Sequence, residues 1–150
     1  MRLALFEPDI PQNTGTLMRL CACLGVALDI IEPCGFLLTD KNLKRAGMDY
    51  LDHLDLTRHM NWASFKSATA EKRLVLMSTK SSSSFLDFKF ESGDVLIAGR
   101  ESAGVPDYVR QDCACAVLIP MMPGLRSLNV ALASGMILGE ALRQTGGYPS

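Results

Sequence analysis

The stretch "PMMPGLRSLNVALASGMILG", residues 120–139, runs from Ser127 to Gly139 without a charged side chain, directly after Arg126. A helix from about Ser127 to Arg143 would be apolar nearly all round. A lone surface helix cannot be so, and this one must be covered on more than one side. Its polar head, Ser127 and Asn129, reads as chemistry rather than core. Ala131, Gly135 and Gly139 recur every four residues, a stripe of small side chains that lets another helix backbone approach. Two glycines inside a helix cost about 1 kcal/mol each relative to alanine, so a packing reason is expected. Self-association is the preferred reason, and a tightly packed monomer core is the alternative.

What covers the helix is legible upstream. Short runs rich in Val, Ile and Leu recur in "RLALFEP", "ALDIIEP", "RLVLMST", "DVLIAG" and "CAVLIP", with helix-period segments between several of them. That alternation predicts an α/β fold, a largely parallel sheet with helices on both faces. Most runs end at a loop signal, among them Pro8, Pro33, Gly99 and Pro120, and ligands of such sheets bind at the carboxyl ends of strands. The first helix is expected from Asn13 and Thr14 to Gly25, with Leu17, Leu20, Cys21 and Leu24 as its buried face. Arg19 points away from that face.

A chain of 150 residues is expected to form one domain, 1–150. Its apolar fraction of 48% and charged fraction of 21% are ordinary for a globular protein. "MRLALFEPDIP" lacks the apolar core of a secretory signal, so a cytoplasmic location is expected. No membrane role is expected either, because a bilayer span needs about 20 apolar residues. The five cysteines include C-x-C pairs rather than C-x-x-C, and His53 and His59 are read as structural or surface groups rather than ligands, so metal chemistry has little support. The net charge of −1 removes bulk basicity but leaves room for a local basic patch such as Lys41, Lys44 and Arg45.

Familiar nucleotide and hydrolase motifs fail. Gly99 and Gly104 have Walker spacing, but Val105 and Pro106 stand where Lys and Ser/Thr are required. No G-x-S-x-G elbow occurs.

Three segments together carry a specific resemblance: "EPDIPQNTGTLMRLCACLG" near the start, "LIAGRESAGVP" at 96–106 and "IPMMPGLRSLNVALASG" at 119–135. In order and spacing they resemble the SPOUT superfamily of RNA methyltransferases, in its 2'-O-methylating branch. "IIEPCGF", "LKRAGMDYLD" and "GDVLIAG" fit the small tRNA wobble-nucleotide 2'-O-methyltransferases (TrmL type) in particular. The likeness covers almost the entire chain. It implies a deep C-terminal trefoil knot that shapes a pocket for S-adenosyl-L-methionine, with S-adenosyl-L-homocysteine as product, no metal, and a homodimer. It also implies methylation of the ribose 2'-hydroxyl of a cytidine or uridine at tRNA position 34, in leucine tRNAs.

By the same resemblance Met77, Gly99, Ile119, Glu101, Met121, Ser127 and Leu128 would bind the cofactor, and Val105 stands where the family pattern has leucine. Arg19, Asn13, Ser127 and Asn129 would serve catalysis, with Arg19 assigned the base role. A guanidinium stays protonated below a pKa of about 12, so orienting the hydroxyl is the other possible role for Arg19. A dimer would let Lys41, Lys44 and Arg45 of one subunit extend an RNA surface beside the other's site. Two alternatives remain open: the same chemistry on ribosomal RNA or another tRNA site, and a non-catalytic RNA-binding protein of this fold. The presence of Arg19, Ser127 and Asn129 disfavours the second.

Overall fold

The structure, a computed structural model, describes residues 1–39, 41 and 50–150. The five apolar runs form strands β1 (Arg2–Phe6), β2 (Ala27–Ile31), β4 (Leu74–Met77), β5 (Val95–Ala98) and β6 (Cys115–Val117). The remaining strand, β3 (Leu56–His59), is "LTRH". It lies at the sheet edge with Thr57 and Arg58 exposed, so it carries no apolar run to betray it. Together they make one six-stranded sheet in the order β3-β2-β1-β5-β4-β6, and every pairing is parallel.

The pleat sorts side chains onto two apolar faces. Leu3, Leu5, Leu28, Ile30, Val75 and Leu96 point to one face, where α1 (Pro11–Leu24) and α4 (Val130–Thr145) bring Leu17, Met18, Cys21, Ile137 and Leu138. Ala4, Phe6, Ile31, Leu74, Leu76 and Ile97 point to the other, covered by Trp62 and Phe65 of α2 (Trp62–Ala68) and Val109 of α3 (Asp107–Asp112). Both faces are thus buried, which is why these strands read as nearly continuous apolar runs. Each fully buried large side chain, such as Phe6 or Phe65, contributes about 1.5–3 kcal/mol relative to exposure.

Two buried aspartates, Asp29 within β2 and Asp94 just before β5, tie the sheet through paired charges. Asp29 accepts from Arg2 Nε at 2.7 Å and lies 2.8 Å from His59 Nε2, and Asp94 accepts from Arg73 Nη2 at 2.6 Å. Their charges are paired, as burial requires. His59 is accordingly structural. All five cysteines are free.

Helix ends depart from expectation in informative ways. α1 starts at Pro11, whose fixed φ and missing N–H suit a first helical position, and ends at Gly25 with φ 65°. Asn13 and Thr14 are therefore inside the first turn and cap nothing, which leaves the Asn13 amide available. α4 starts at Val130 rather than Ser127: Asn129 Oδ1 accepts from Ala131 N at 2.8 Å and Leu132 N at 3.2 Å and so fixes the first turn. Ser127 lies in the exposed stretch before it.

The small-residue stripe packs within the chain. A Cβ on Gly135 would stand 3.7 Å from Leu20 Cδ2 of α1, one on Gly139 would stand 3.1 Å from Tyr148 Oη, and Ala131 is buried. These contacts match the monomer-core reading of the stripe. The uncovered apolar side chains of α4 are instead Leu132 and Met136, one turn apart. No described helix is long and apolar enough to cross a membrane.

Candidate active site

A cavity of about 550 Å³ opens over the carboxyl ends of β4, β5 and β6, between α4 and α3. Its size suits a small molecule, for which pockets run about 300–1,000 Å³. Met77, Gly99 and Ile119 follow or end the three strands and form its floor, while Glu101, Met121, Ser127 and Leu128 line its walls. Asn13 and Asn129 reach it from the starts of α1 and α4. Residues more than a hundred positions apart in sequence thus converge because parallel strands deliver all their loops to one edge.

Four polar residues form one hydrogen-bonded chain there. The Asp9 N–H donates to Glu101 Oε2 at 2.9 Å, and Asn13 Nδ2 faces Glu101 Oε1 at 3.5 Å. Asn13 Oδ1 accepts from Asn129 Nδ2 at 3.0 Å, and Asn129 Oδ1 is spent on the α4 cap. Both amide orientations are fixed by their partners. The Ser102 hydroxyl donates to Asp9 Oδ2, whereas Asp9 Oδ1 is buried without a partner among the described residues. Burial, then the adjacent Asp9, raises the Glu101 carboxyl above its ordinary range; hydrogen bonding with Glu101 and Ser102 holds Asp9 below its own. The two carboxyls are thus coupled, each moving the other's titration away from its ordinary range.

The loop that carries Glu101 is tied at its base. Arg100 and Gly104 exchange backbone hydrogen bonds at 3.0 and 2.9 Å, and Gly104 has φ 63°. A Cβ on Gly99 would come within 2.8 Å of the Gly104 carbonyl carbon. Gly99 is therefore required by its own loop, whatever the cavity holds.

Three lining residues escaped the sequence reading. Arg110 and Lys80 give the cavity a cationic side, Arg110 Nη1 donating to Ser78 Oγ at 3.2 Å. Ser134 is fully buried in α4, lines the cavity, and leaves its hydroxyl without a partner among the described residues. A serine inside an apolar helix and an arginine in "DYVRQD" carry no spacing signal that could have marked them.

Arg19 stands outside the cavity lining. It is exposed on α1, its guanidinium 4.8 Å from the centre of the Tyr50 ring and its Nη2 donating to Tyr50 Oη at 3.2 Å. Lys41 is exposed and also outside the lining, and Lys44 and Arg45 lie outside the described residues. Among the described residues no group of three His, Cys, Asp or Glu could hold a metal ion.

An all-parallel sheet with a partly polar cavity at its strand ends defines an α/β protein whose cavity has the size and place of a small-ligand site. The chain belongs to the SpoU rRNA Methylase family, whose pattern matches residues 1–139. It is 56% identical over 146 residues to a tRNA (cytidine(34)-2'-O)-methyltransferase of Beijerinckia indica, covering 96% of this chain and 91% of that one. A structure solved for insights into the 2-OH methylation of C/U34 on tRNA matches with a TM-score of 0.89 at 42% identity, over 95% of this chain and 94% of its own. The SpoU methyltransferase AviRb from Streptomyces viridochromogenes, solved in complex with the cofactor AdoMet, matches with a TM-score of 0.86 at 26% identity, over 96% of this chain and 60% of that one.

Proposed function

We propose that this chain methylates the ribose 2'-hydroxyl of the cytidine or uridine at position 34 of tRNA, in leucine tRNAs, with S-adenosylmethionine as donor and S-adenosylhomocysteine as product. The observation that carries the reading is the convergence of Glu101, Asn13 and Asn129, from three separate motifs, into one hydrogen-bonded chain on one cavity. The cofactor fits the residues present. Met77, Ile119 and Leu128 offer apolar walls to an adenine, and the unpartnered Ser134 hydroxyl offers it a hydrogen bond. Arg110 and Lys80 suit a carboxylate. When bound, the cofactor supplies a methyl group on a positively charged sulfur. The chain's own task is to hold the hydroxyl in line with it and take the proton.

The rest of the reading is a single domain over 1–150 working in the cytoplasm as a homodimer. A knotted carboxyl end is supported by the segment after β4: Leu118, past β6, bonds through both backbone groups to Ser83 and Phe85, and Gln144 near the end of α4 bonds to Phe88 and Phe90. These bonds tie the segment between β4 and β5 to the chain just past β6 and near the end of α4. Self-association is supported by the exposed Leu132 and Met136 on α4, with Leu128 exposed just ahead of the helix. In such a dimer Arg19 and the basic segment from Lys41 to Arg45 of one copy serve the RNA bound at the other copy's cavity. Arg19 then orients ribose or phosphate.

Mapping ribose methylation in tRNA from a strain lacking this protein tests the function. Loss of the 2'-O-methyl group at position 34 of leucine tRNAs, restored by the wild-type chain, is the expected result; an unchanged position 34 would refute it.

A further inference from the structure

Three arginines among the described residues lie over aromatic rings, and one of them is held differently. Arg73 stands 5.1 Å from the Phe88 ring centre and also pairs with Asp94 at 2.6 Å and Glu91 at 3.2 Å. Arg100 stands 5.5 Å from the Phe6 ring centre and pairs with Glu7 at 3.3 Å. Arg19 stands 4.8 Å from the Tyr50 ring centre and donates to Tyr50 Oη at 3.2 Å, yet no carboxylate pairs with it among the described residues. Resting on the function proposed above, in which Arg19 acts on the ribose or phosphate of the tRNA, we infer that Tyr50 is the positioning residue for Arg19. It fixes the guanidinium and leaves its charge unneutralised.

Helix α1 itself cannot hold this side chain. It carries no acidic residue, and the positions one turn away, Gly15, Thr16, Ala22 and Cys23, offer Arg19 no ion pair. An exposed arginine with free torsions would lose conformational entropy each time it engaged a substrate. The Tyr50 ring removes part of that cost in advance, because a cation within about 6 Å of an aromatic face is drawn to it. The Tyr50 hydroxyl takes one N–H of Nη2 and so fixes the turn of the guanidinium about its own axis. Among the described residues nothing else takes its other N–H groups, whose planar fork suits phosphate or ribose oxygens.

Tyr50 can serve as a platform because its own place is fixed. Half-buried, it heads the single turn Leu51–His53, and its carbonyl accepts from the His53 N–H at 3.0 Å. The Leu51 carbonyl accepts from the Leu54 N–H at 3.2 Å. Leu51 and Leu54 pack against the same apolar cluster that buries Leu17, Met18 and Cys21 of α1. Tyrosine and arginine are thus mounted on one core from positions 31 residues apart. A carboxylate in place of Tyr50 would hold Arg19 as firmly, but it would cancel the charge that a phosphate recognises and would itself repel the phosphate.

Substitutions at Tyr50 separate positioning from packing. Tyr50→Leu keeps an apolar side chain and removes ring and hydroxyl; Tyr50→Phe keeps the ring. With leucine tRNA as substrate, Tyr50→Leu should lose about tenfold in kcat/KM for tRNA, with S-adenosylmethionine affinity by calorimetry and the melting temperature unchanged. Tyr50→Phe should recover most of that loss. Added to Arg19→Ala, Tyr50→Leu should cost nothing further, since both then disable one device. A readout without turnover comes from proton NMR of the free protein. The Arg19 side-chain signals should lie upfield in wild type and Tyr50→Phe, shifted by the ring, and return to ordinary positions in Tyr50→Leu. Wild-type kcat/KM in Tyr50→Leu, a loss that persists undiminished in the Arg19→Ala background, or Arg19 signals unmoved by Tyr50→Leu would overturn the inference and leave the methyltransferase reading intact. A wild-type protein that transfers no methyl to tRNA would overturn both.

Discussion

Gly99 leaves no space for even one methyl group, because the nearest atoms are the backbone of Gly104, which cannot swing aside. Gly99→Val should therefore displace the Arg100–Gly104 bridge and, with it, Glu101 and the cavity floor. Calorimetry is expected to find S-adenosylmethionine binding weakened at least tenfold in a protein that still melts cooperatively; unchanged affinity would remove Gly99 from the site. The glycine was legible in the sequence as part of a motif, but its reason was not, since a contact between residues five apart in a loop follows from loop closure and not from spacing. Ser134 and Arg110 were illegible for a related cause: their importance comes from where the fold puts a hydroxyl and a guanidinium, and neither sits in a pattern. Asp9 lay inside a quoted motif with nothing to show that it would meet Glu101.

Asn129 joins the start of α4 to the site, and its two functions can be separated. Asn129→Ala removes the cap and should cost about 1 kcal/mol of stability, measured by urea unfolding. Asn129→Asp keeps an acceptor for the Ala131 and Leu132 N–H groups but no longer donates to Asn13, whose oxygen then meets a carboxylate. Its stability should stay within a few tenths of a kcal/mol of wild type while turnover falls at least tenfold; equal losses in both variants would reduce Asn129 to a cap. On α1 the exposed Cys23 should react with a maleimide at neutral pH, whereas Cys21, whose thiol burial pushes up to about 12, should react only on unfolding. Mass spectrometry of the labelled protein reads this directly. The interior strands and both long helices announced themselves because burial on one or two faces writes a period into the sequence. β3 did not, being an edge strand whose middle residues, Thr57 and Arg58, are exposed. The start of α4 was misjudged by three residues because Ser127 and Asn129 are equally good caps in composition, and the choice between them is made by the bond to Asn13.

The whole assembly is tested through its surfaces and its substrate. Leu132→Glu with Met136→Glu places charges on the exposed apolar side of α4 and should convert a dimer to monomer by light scattering at micromolar concentration; a wild-type monomer would contradict the homodimer. Gly135→Leu acts elsewhere, overpacking the seam with Leu20 inside one chain, and should lower stability by about 1–3 kcal/mol whatever the oligomeric state. With a net charge of −1, tRNA affinity rests on local cations and should fall with salt along a shallow slope. The central claim is that one ribose oxygen receives the methyl group. It is tested most directly by supplying the purified protein with methyl-labelled S-adenosylmethionine and two leucine tRNAs that differ only in the presence or absence of the 2'-oxygen at nucleotide 34. Label is expected in the ribose form alone; equal labelling of the 2'-deoxy form would contradict the account.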